Sequence, residues 1–504
     1  LICRALVVIA LLTAAPAVSA QSKKLKLTVT DTLLTEYRAD NQNQRDDDDY
    51  YGVVLNRLNL MASAEDVIAS QRLDLLQFIE APTDDYQSEI TLERINLRYR
   101  LDDWTIMLGD FYRQLGRGIA LSVRKVDEMG LDVTLRGGQV SWSGEHGDMA
   151  VFGGVTNSVN IDAVSQKYVE DPYDIFAGAL GNVWVTEDVK LGLYGLYMQP
   201  DEPILTGRDF SATGGGSVEL QMMDGDAALY VEGVGQYREL AGIDDVGYAG
   251  YLALDLAIDD FTMLAEGIFM SKFEQRGSTN TAIGSRFNYS NAPTLERQDQ
   301  EVINNRDVAG GRLRLEGTLL DGDLMLHGNV LYRATDQLSD TAIVHQIHGY
   351  VGGEYSYDDG DSKIEASAGY RHEIQGVSNT ELKTMIHFDA NYIQKLTEAV
   401  ALSVTSVNEL RTFVGEPYQR GSLFVGVDWV DIGGLTAEFG YDNQNTMPGA
   451  NHYFIAGIGV VHINDNAQIR ATVGTQRGGL KCIAGICRQF PEFAGGRIEA
   501  VARF

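Results

Sequence analysis

The chain has 504 residues, with 71 Asp and Glu against 40 Lys and Arg and a formal charge of −31. Acidity of that size argues against nucleic acid or anionic lipid as a bound partner. After the first twenty residues no run approaches the roughly eighteen consecutive apolar residues of a membrane-spanning helix. Nine prolines, and no Pro/Ser/Gly-rich linker, argue against a string of small soluble domains.

In chain order, residues 1–20 read as an export signal. Arg4 supplies a thin positive region, Ala5 to Leu12 an apolar core, and Val18-Ser19-Ala20 a small-residue cleavage site, leaving Gln21 as the mature N-terminus. From residue 25 onward one pattern repeats: about ten residues with apolar side chains at every second position, then a break. Strands are predicted near 25–37, 51–63, 68–80, 89–101, 104–112, 131–143, 148–157 and 173–185. They continue near 189–198, 210–222, 227–238, 246–258, 261–273, 303–319, 323–334 and 342–356. The last are near 362–374, 382–395, 400–413, 420–429, 435–443, 452–463, 467–478 and 493–504.

The breaks alternate. Short ones, such as Asp102-Asp103, Asp224-Gly225-Asp226, Asp321-Gly322-Asp323 and Asn464-Asp465-Asn466, take turns with long polar stretches. An antiparallel sheet threading a membrane makes this two-beat rhythm, with tight turns on one side and loops on the other. Only a closed barrel satisfies every backbone group of a sheet in lipid. The predicted fold is all-β: residues 21–504 form one closed antiparallel transmembrane β-barrel of about 24 strands, range 22–26.

Period two assigns the faces. Arg497, Glu499 and Arg503 oppose Ile498, Ala500, Ala502 and Phe504; Arg312, Arg314 and Glu316 oppose Leu313, Leu315 and Leu319. Glu365, Arg371 and Glu373 oppose Ile364, Ala368 and Tyr370, Glu438 opposes Leu435 and Phe439, and Glu409 and Arg411 share a face in the same way. An Arg or Lys facing lipid costs roughly 2 to 4 kcal/mol at the bilayer midplane, so the charged sets are predicted to line the lumen. There they either pair with one another or form a charge ladder that selects permeants.

Two breaks are long. Residues 112–130 carry Arg113, Arg117, Arg124 and Lys125 around an apolar centre of Ile119, Ala120 and Leu121, which is ill suited to water. This segment is the candidate constriction loop, folded into the lumen; the alternative is packing on a neighbouring extracellular loop. Residues 274–301, rich in Asn, Ser and Thr, read as a long extracellular surface loop; the alternative is that they fold inward. Cys482 and Cys487 are expected to close a local disulfide in the last long loop, worth about 2 kcal/mol at most.

His345 and His348 lie three apart on a strand and so point to opposite faces, while His327, His387 and Asp389 are expected as polar liners of the lumen. No serine elbow, P-loop or zincin pattern appears. The chain is therefore not expected to be an enzyme, and no cofactor or metal is expected.

The leader, the alternating strands, the turn rhythm and the terminal GGRIEAVARF resemble Gram-negative outer-membrane β-barrel proteins of the porin-like kind. The resemblance implies residence in the outer membrane among lipid and lipopolysaccharide. It also implies insertion by the barrel assembly machinery, with Phe504 as the signal read. GDFYRQLGRGIALSVRK followed by LDVTLRGGQVSW resembles a segment of uncharacterised barrel families and implies no activity.

A ring of this many strands, ~4.8 Å apart and tilted ~40°, has a backbone diameter of roughly 45 to 50 Å. About four residues separate Gln21 from the first strand, which leaves no room for an N-terminal plug and points to the chain's own loops or a partner as the closure. The expected function is a channel for passive or facilitated passage of hydrophilic solutes, with a mild cation preference. One alternative is a barrel scaffold for a lumenal or periplasmic partner, such as a plug lipoprotein or a secretion or electron-conduit component. The other is a structural or adhesive surface protein.

Overall fold

The structure, a computed structural model, describes residues 25–504 apart from 43–47, 85, 127–130, 163–165, 203–208, 241, 281–284, 298–305, 340, 445–450, 484–485 and 491. The leader assigned to residues 1–20 lies outside the described residues. Strand after strand pairs antiparallel with its neighbour in sequence, from Lys26–Arg38 with Tyr51–Ala64 to Ala467–Gln476 with Phe493–Arg503. Lys26–Arg38 also pairs with Phe493–Arg503, in a register running from Thr30 opposite Arg503 to Arg38 opposite Gly495. This pairing closes a 24-strand antiparallel barrel, the number the sequence pattern predicts. Among the described residues no helix is long and apolar enough to cross a membrane.

One rim carries tight connections. Asp224 and Asp321 sit at φ of 55° and 57°, and Asp102, Asp358 and Asp359 occupy the same left-handed region, which a short polar side chain tolerates by bonding locally. Lys26 and Arg503 lie on this rim, and the long connections emerge from the other. The strand expected at 420–429 begins earlier, at Glu416, because Val414 and Gly415 turn the chain within two residues. Side chains alternate as period two requires. Along Ala227–Leu240, Glu232, Val234, Gln236 and Arg238 are buried whereas Val231 and Tyr237 are exposed. On the outside Leu313, Leu315, Ile364, Tyr370, Leu435, Phe439 and Ile498 stand exposed, which is an apolar surface for lipid.

The wall has one seam. Trp104–Phe111 is the shortest barrel strand, and its pairing with Glu89–Leu101 stops at Asn96 opposite Gly109. Beyond that point side chains replace the ladder. The Asp110 carboxylate accepts the Ile95 N–H at 2.7 Å, Asn157 Nδ2 at 2.9 Å and Thr134 Oγ1 at 3.1 Å, and forms an ion pair with Arg136 at 3.1 Å. Arg94 donates to the Asp132 carbonyl at 2.7 Å and to the Ser158 carbonyl at 3.2 Å. The carbonyl of Glu93 accepts from Arg136 at 3.0 Å and Asn157 at 2.9 Å. Gly109 makes this geometry possible: at φ 98° a Cβ there would stand 2.1 Å from the Ile95 carbonyl oxygen. Asp110→Ala strips several buried donors of their acceptor, so it is expected to cost about 3 kcal/mol. The cost should appear as an earlier urea midpoint for the vesicle-inserted barrel; an unchanged midpoint would show that the seam holds without it.

Candidate functional site: an occupied lumen

The segment after Phe111 turns inward at the seam. Arg113–Leu115 and Leu121–Val123 form a small hairpin of their own. Leu115, Ile119, Ala120, Leu121 and Val123 are fully buried and belong to one apolar cluster with Phe152, Phe176, Leu196, Val234, Tyr251 and Ile268 of the barrel wall. Burying such a side chain is worth about 2 kcal/mol, and five together are enough to hold an irregular segment away from water. The loop reaches the wall strand Ala227–Leu240, six strands round the ring from where it departs. There the Glu232 carboxylate accepts the Arg117 N–H at 2.9 Å, the Tyr230 hydroxyl at 2.8 Å and the Tyr194 hydroxyl. Gly116 lies against that carboxylate at φ 56°, and a Cβ would come within 1.8 Å of Glu232 Oε1.

The basic residues of this loop are placed separately. The Arg113 guanidinium lies 5.4 Å from the centre of the Phe152 ring and that of Arg117 lies 4.5 Å from the Tyr230 ring centre. Burial lowers the pKa of both Arg113 and Arg124. Lys125 faces an open cavity of about 730 Å³, lined also by Lys26, Arg72, Arg94, Asp132 and Arg503.

A second loop joins the first, and here the surface-loop reading of 274–301 is corrected. Its described residues Gln275, Ser278, Phe287, Tyr289, Ala292, Leu295 and Glu296 are buried, with Phe273 just before them. The polar composition misleads because the buried polar atoms are satisfied. Ser278 N–H donates to the Asp174 carboxylate at 2.9 Å, and the Tyr289 hydroxyl donates to it at 2.6 Å. Burial, and then Asp174, push the Tyr289 hydroxyl well above its ordinary pKa, so it stays a donor. The two loops brace each other: Ser122 N–H to the Tyr289 carbonyl at 2.6 Å, Asn291 N–H to the Gly118 carbonyl at 2.8 Å, and Ser290 Oγ to the Ile119 carbonyl at 2.7 Å.

A third inward segment follows Ser158. Ile161 is buried with Val53, Leu55 and Leu76, and Gln166 bonds Glu36 at 2.9 Å and the Tyr51 hydroxyl at 3.0 Å. Sequence reasoning missed it. The only signal was Val159, Ile161 and Val169 within an otherwise polar stretch.

The charged residues assigned to the wall are mostly paired. Arg371 meets Glu373 at 2.6 Å, Arg411 meets Glu409 at 2.7 Å, Arg314 meets Glu316 and Arg312 meets Glu266. Arg497 crosses the closure to Glu36, and Glu438 accepts from Gln476 at 2.7 Å. Toward the tight-turn rim, alternation places Lys26, Arg98, Arg100, Arg470 and Arg503 on the inner face of one sector of the wall. Glu365 and Glu499 occupy inner-face positions as well, and Glu219 and Asp255 do so across the ring. Lys190 lies directly opposite Glu219 in register, so that side of the wall carries both signs.

His345 faces outward against the Tyr332 hydroxyl at 2.8 Å, whereas His348 and His387 are buried inside. Among the described residues no group of three or more His, Cys, Asp or Glu could hold a metal ion. The hairpin Gly479–Ile483 with Ile486–Phe490 sets Cys482 opposite Cys487 in backbone register. Their side chains, and so the disulfide, lie outside the described residues.

A sealed sheet with an apolar exterior and a polar, loop-filled interior is the fold of an outer-membrane β-barrel. Among solved structures the chain is similar to the copper transporter OprC, with a TM-score of 0.50 and 10% identity over 96% of this chain and 81% of that one. It is also similar to the siderophore receptor PirA from Pseudomonas aeruginosa, at 0.49 and 8% over 96% and 81%. For a BenF-like porin from Pseudomonas fluorescens Pf-5 the values are 0.39 and 10% over 73% and 96%. Residues 435–504 match a family of unknown function, DUF6029. No curated protein matches the chain.

Leu121→Ala leaves a cavity in the lumenal cluster and is expected to weaken loop docking by about 2 to 4 kcal/mol. Trypsin added outside intact vesicles should then cut at Arg113 or Arg117 while the barrel still migrates as a folded band; equal resistance in both proteins would refute the docking energy assigned to it.

Proposed function

We propose that the protein is a porin-like channel for hydrophilic solutes, its aperture set by residues 112–126 together with the inward parts of 159–174 and 272–297. The observation that carries this reading is the fully buried Ile119-Ala120-Leu121 centre, seated on the inner face of the wall. Arg113, Arg117, Arg124 and Lys125 are the basic residues of the constriction in this reading. Arg312, Arg314, Glu316, Glu365, Arg371, Glu373, Glu409, Arg411, Glu438, Arg497, Glu499 and Arg503 form the charged inner wall of the path, where Arg371 and Arg411 are buried in ion pairs with Glu373 and Glu409 and the more exposed members solvate the solute.

The sign of selectivity comes from the mouths. Acidic groups crowd both of them, Asp102, Asp103, Asp224, Asp226, Asp259 and Asp260 in the tight turns and Asp40, Asp84, Asp171 and Asp201 in the loops, and an acidic mouth raises the local cation concentration. The purified chain in a planar bilayer under a KCl gradient is expected to show a modest cation-selective reversal potential. Replacing 113–125 with a short Gly/Ser linker should raise conductance several-fold. Anion selectivity would remove the charge argument. A stoichiometric protein co-purifying in the lumen, with no conductance from the free chain, would replace the channel reading with that of a partner scaffold.

A further inference from the structure

The far end of the second inward loop is held by a chain of titratable groups that none of the above uses. Glu296, fully buried, accepts from His348 Nδ1 at 2.6 Å and from Gln346 Nε2 at 2.7 Å, with Arg371 at 3.8 Å. His348 Nε2 lies 3.0 Å from His387 Nε2. His387 Nδ1 in turn faces Arg297 Nη1 and Asp389 Oδ2, each at 3.3 Å, and Arg297 pairs with Asp389 at 2.8 Å. The histidines sit on Val344–Tyr357 and Thr380–Thr397, which are separated by Ser362–Gln375. Their rings meet only because Gly369 lies between them: a Cβ there would stand 2.2 Å from His387 Nε2.

Counting hydrogens shows what this arrangement tolerates. A carboxylate only accepts, so His348 Nδ1 carries a proton, and one proton lies between the two Nε2 atoms. With both rings neutral, His387 Nδ1 is bare and accepts from Arg297. One added proton is accommodated, because His387 Nδ1–H can then donate to Asp389. A second is not: both Nε2 atoms would carry hydrogen and face each other with no acceptor between them.

We propose that Glu296, His348 and His387 form an acid-released latch that holds the inward residues 285–297 against the lumenal wall, so that acidification frees them and widens the channel. The inference rests on the channel reading. The groups facing the pair from each packed element are Gln346 and Tyr350 on the strand of His348, Arg371 and Glu373 on the strand between, Asp389 beside His387, Glu409 (the cross-strand neighbour of His387) with Arg411 on Val400–Phe413, Arg333 on Leu324–Thr335, and Glu296 and Arg297 on the loop. At neutral pH their charges balance closely, so a doubly protonated pair adds uncompensated positive charge in a buried site. Glu296 titrates in the same sense. Burial opposes its ionisation, yet His348 and then Arg371 hold its carboxyl below the usual carboxylate range. Its contribution to docking is therefore complete above the ordinary carboxylate pKa and is lost as pH falls through the lowered one.

The test compares the full chain in planar bilayers at about pH 7.5 and about pH 5. Wild-type conductance is expected to rise several-fold and reversibly in acid. His387→Gln, whose amide can either donate to or accept from His348, should stay near the neutral value at both pH values. Gly369→Ala, which wedges the rings apart, should open the channel at neutral pH. Hydrogen exchange supplies a readout that needs no current: residues 285–297 should lose protection in acid in the wild type and not in His387→Gln. Conductance and exchange that ignore pH, or a His387→Gln variant that opens as the wild type does, overturn the latch. Acid-dependent exchange without current at any pH overturns the channel reading and leaves the latch standing. Should His387→Gln fail to fold, His348→Gln serves in its place with the same expected outcomes.

Discussion

Everything in this molecule follows from closing a ring of hydrogen bonds. In lipid a strand edge has no water to bond, so the pairing of Lys26–Arg38 with Phe493–Arg503 is a condition of the fold and not an added contact. A ring of 24 strands also fixes a width. Side chains from the wall fill a barrel of about eight strands and fall far short of filling this one. The interior therefore has to be built from chain that the ring does not need, and the loops on the long-connection rim supply it.

Bringing irregular backbone indoors creates the same requirement that the ring solves, because each buried N–H and C=O needs a partner. The loops meet it partly through one another, as in Ser122 with Tyr289 and Asn291 with Gly118. Carboxylates meet others: Glu232 of the wall for the Arg117 N–H, and Asp174, just ahead of the strand Ile175–Thr186, for the Ser278 N–H. Where the first loop leaves the wall the ladder itself is interrupted, and Asp110 and Glu93 take over. Buried acids that resemble catalytic groups in isolation are, in this setting, substitutes for missing backbone partners.

Strands, faces and tight turns were legible in the sequence because each is a local property: alternation, Asp at left-handed positions, and an apolar band that tolerates no charge. The 112–130 segment was partly legible, since three adjacent apolar residues in a loop are conspicuous. The second loop was less so, and its composition favoured the surface over the inward alternative. Phe273, Phe287, Tyr289 and Leu295 follow no period and are diluted by Asn, Ser and Thr whose hydrogen bonds are satisfied only by the folded neighbours. Ion-pair partners were equally hidden. Arg314 with Glu316 is readable from spacing, but Arg497 with Glu36 depends on the register of closure, which joins residues from opposite ends of the chain.

The second loop is held by unlike means along its length, and that difference bears on how the aperture can respond. Phe273, Phe287, Tyr289, Ala292 and Leu295 seat it in the same apolar cluster as Ile119 and Leu121, contacts that are indifferent to protonation, while Ser278 and the Tyr289 hydroxyl bond the Asp174 carboxylate. The end at Glu296 and Arg297 is held by ionic and imidazole contacts, and where His348 and Glu296 are fully buried one added charge is felt strongly. The 112–126 hairpin touches the wall through apolar groups, through the Arg117 N–H on the Glu232 carboxylate and through the Arg117 guanidinium over the Tyr230 ring. One lumen thus combines apolar seats, which protonation leaves alone, with carboxylate and imidazole contacts, which it can weaken, and the two imidazoles are gathered at the Glu296 end.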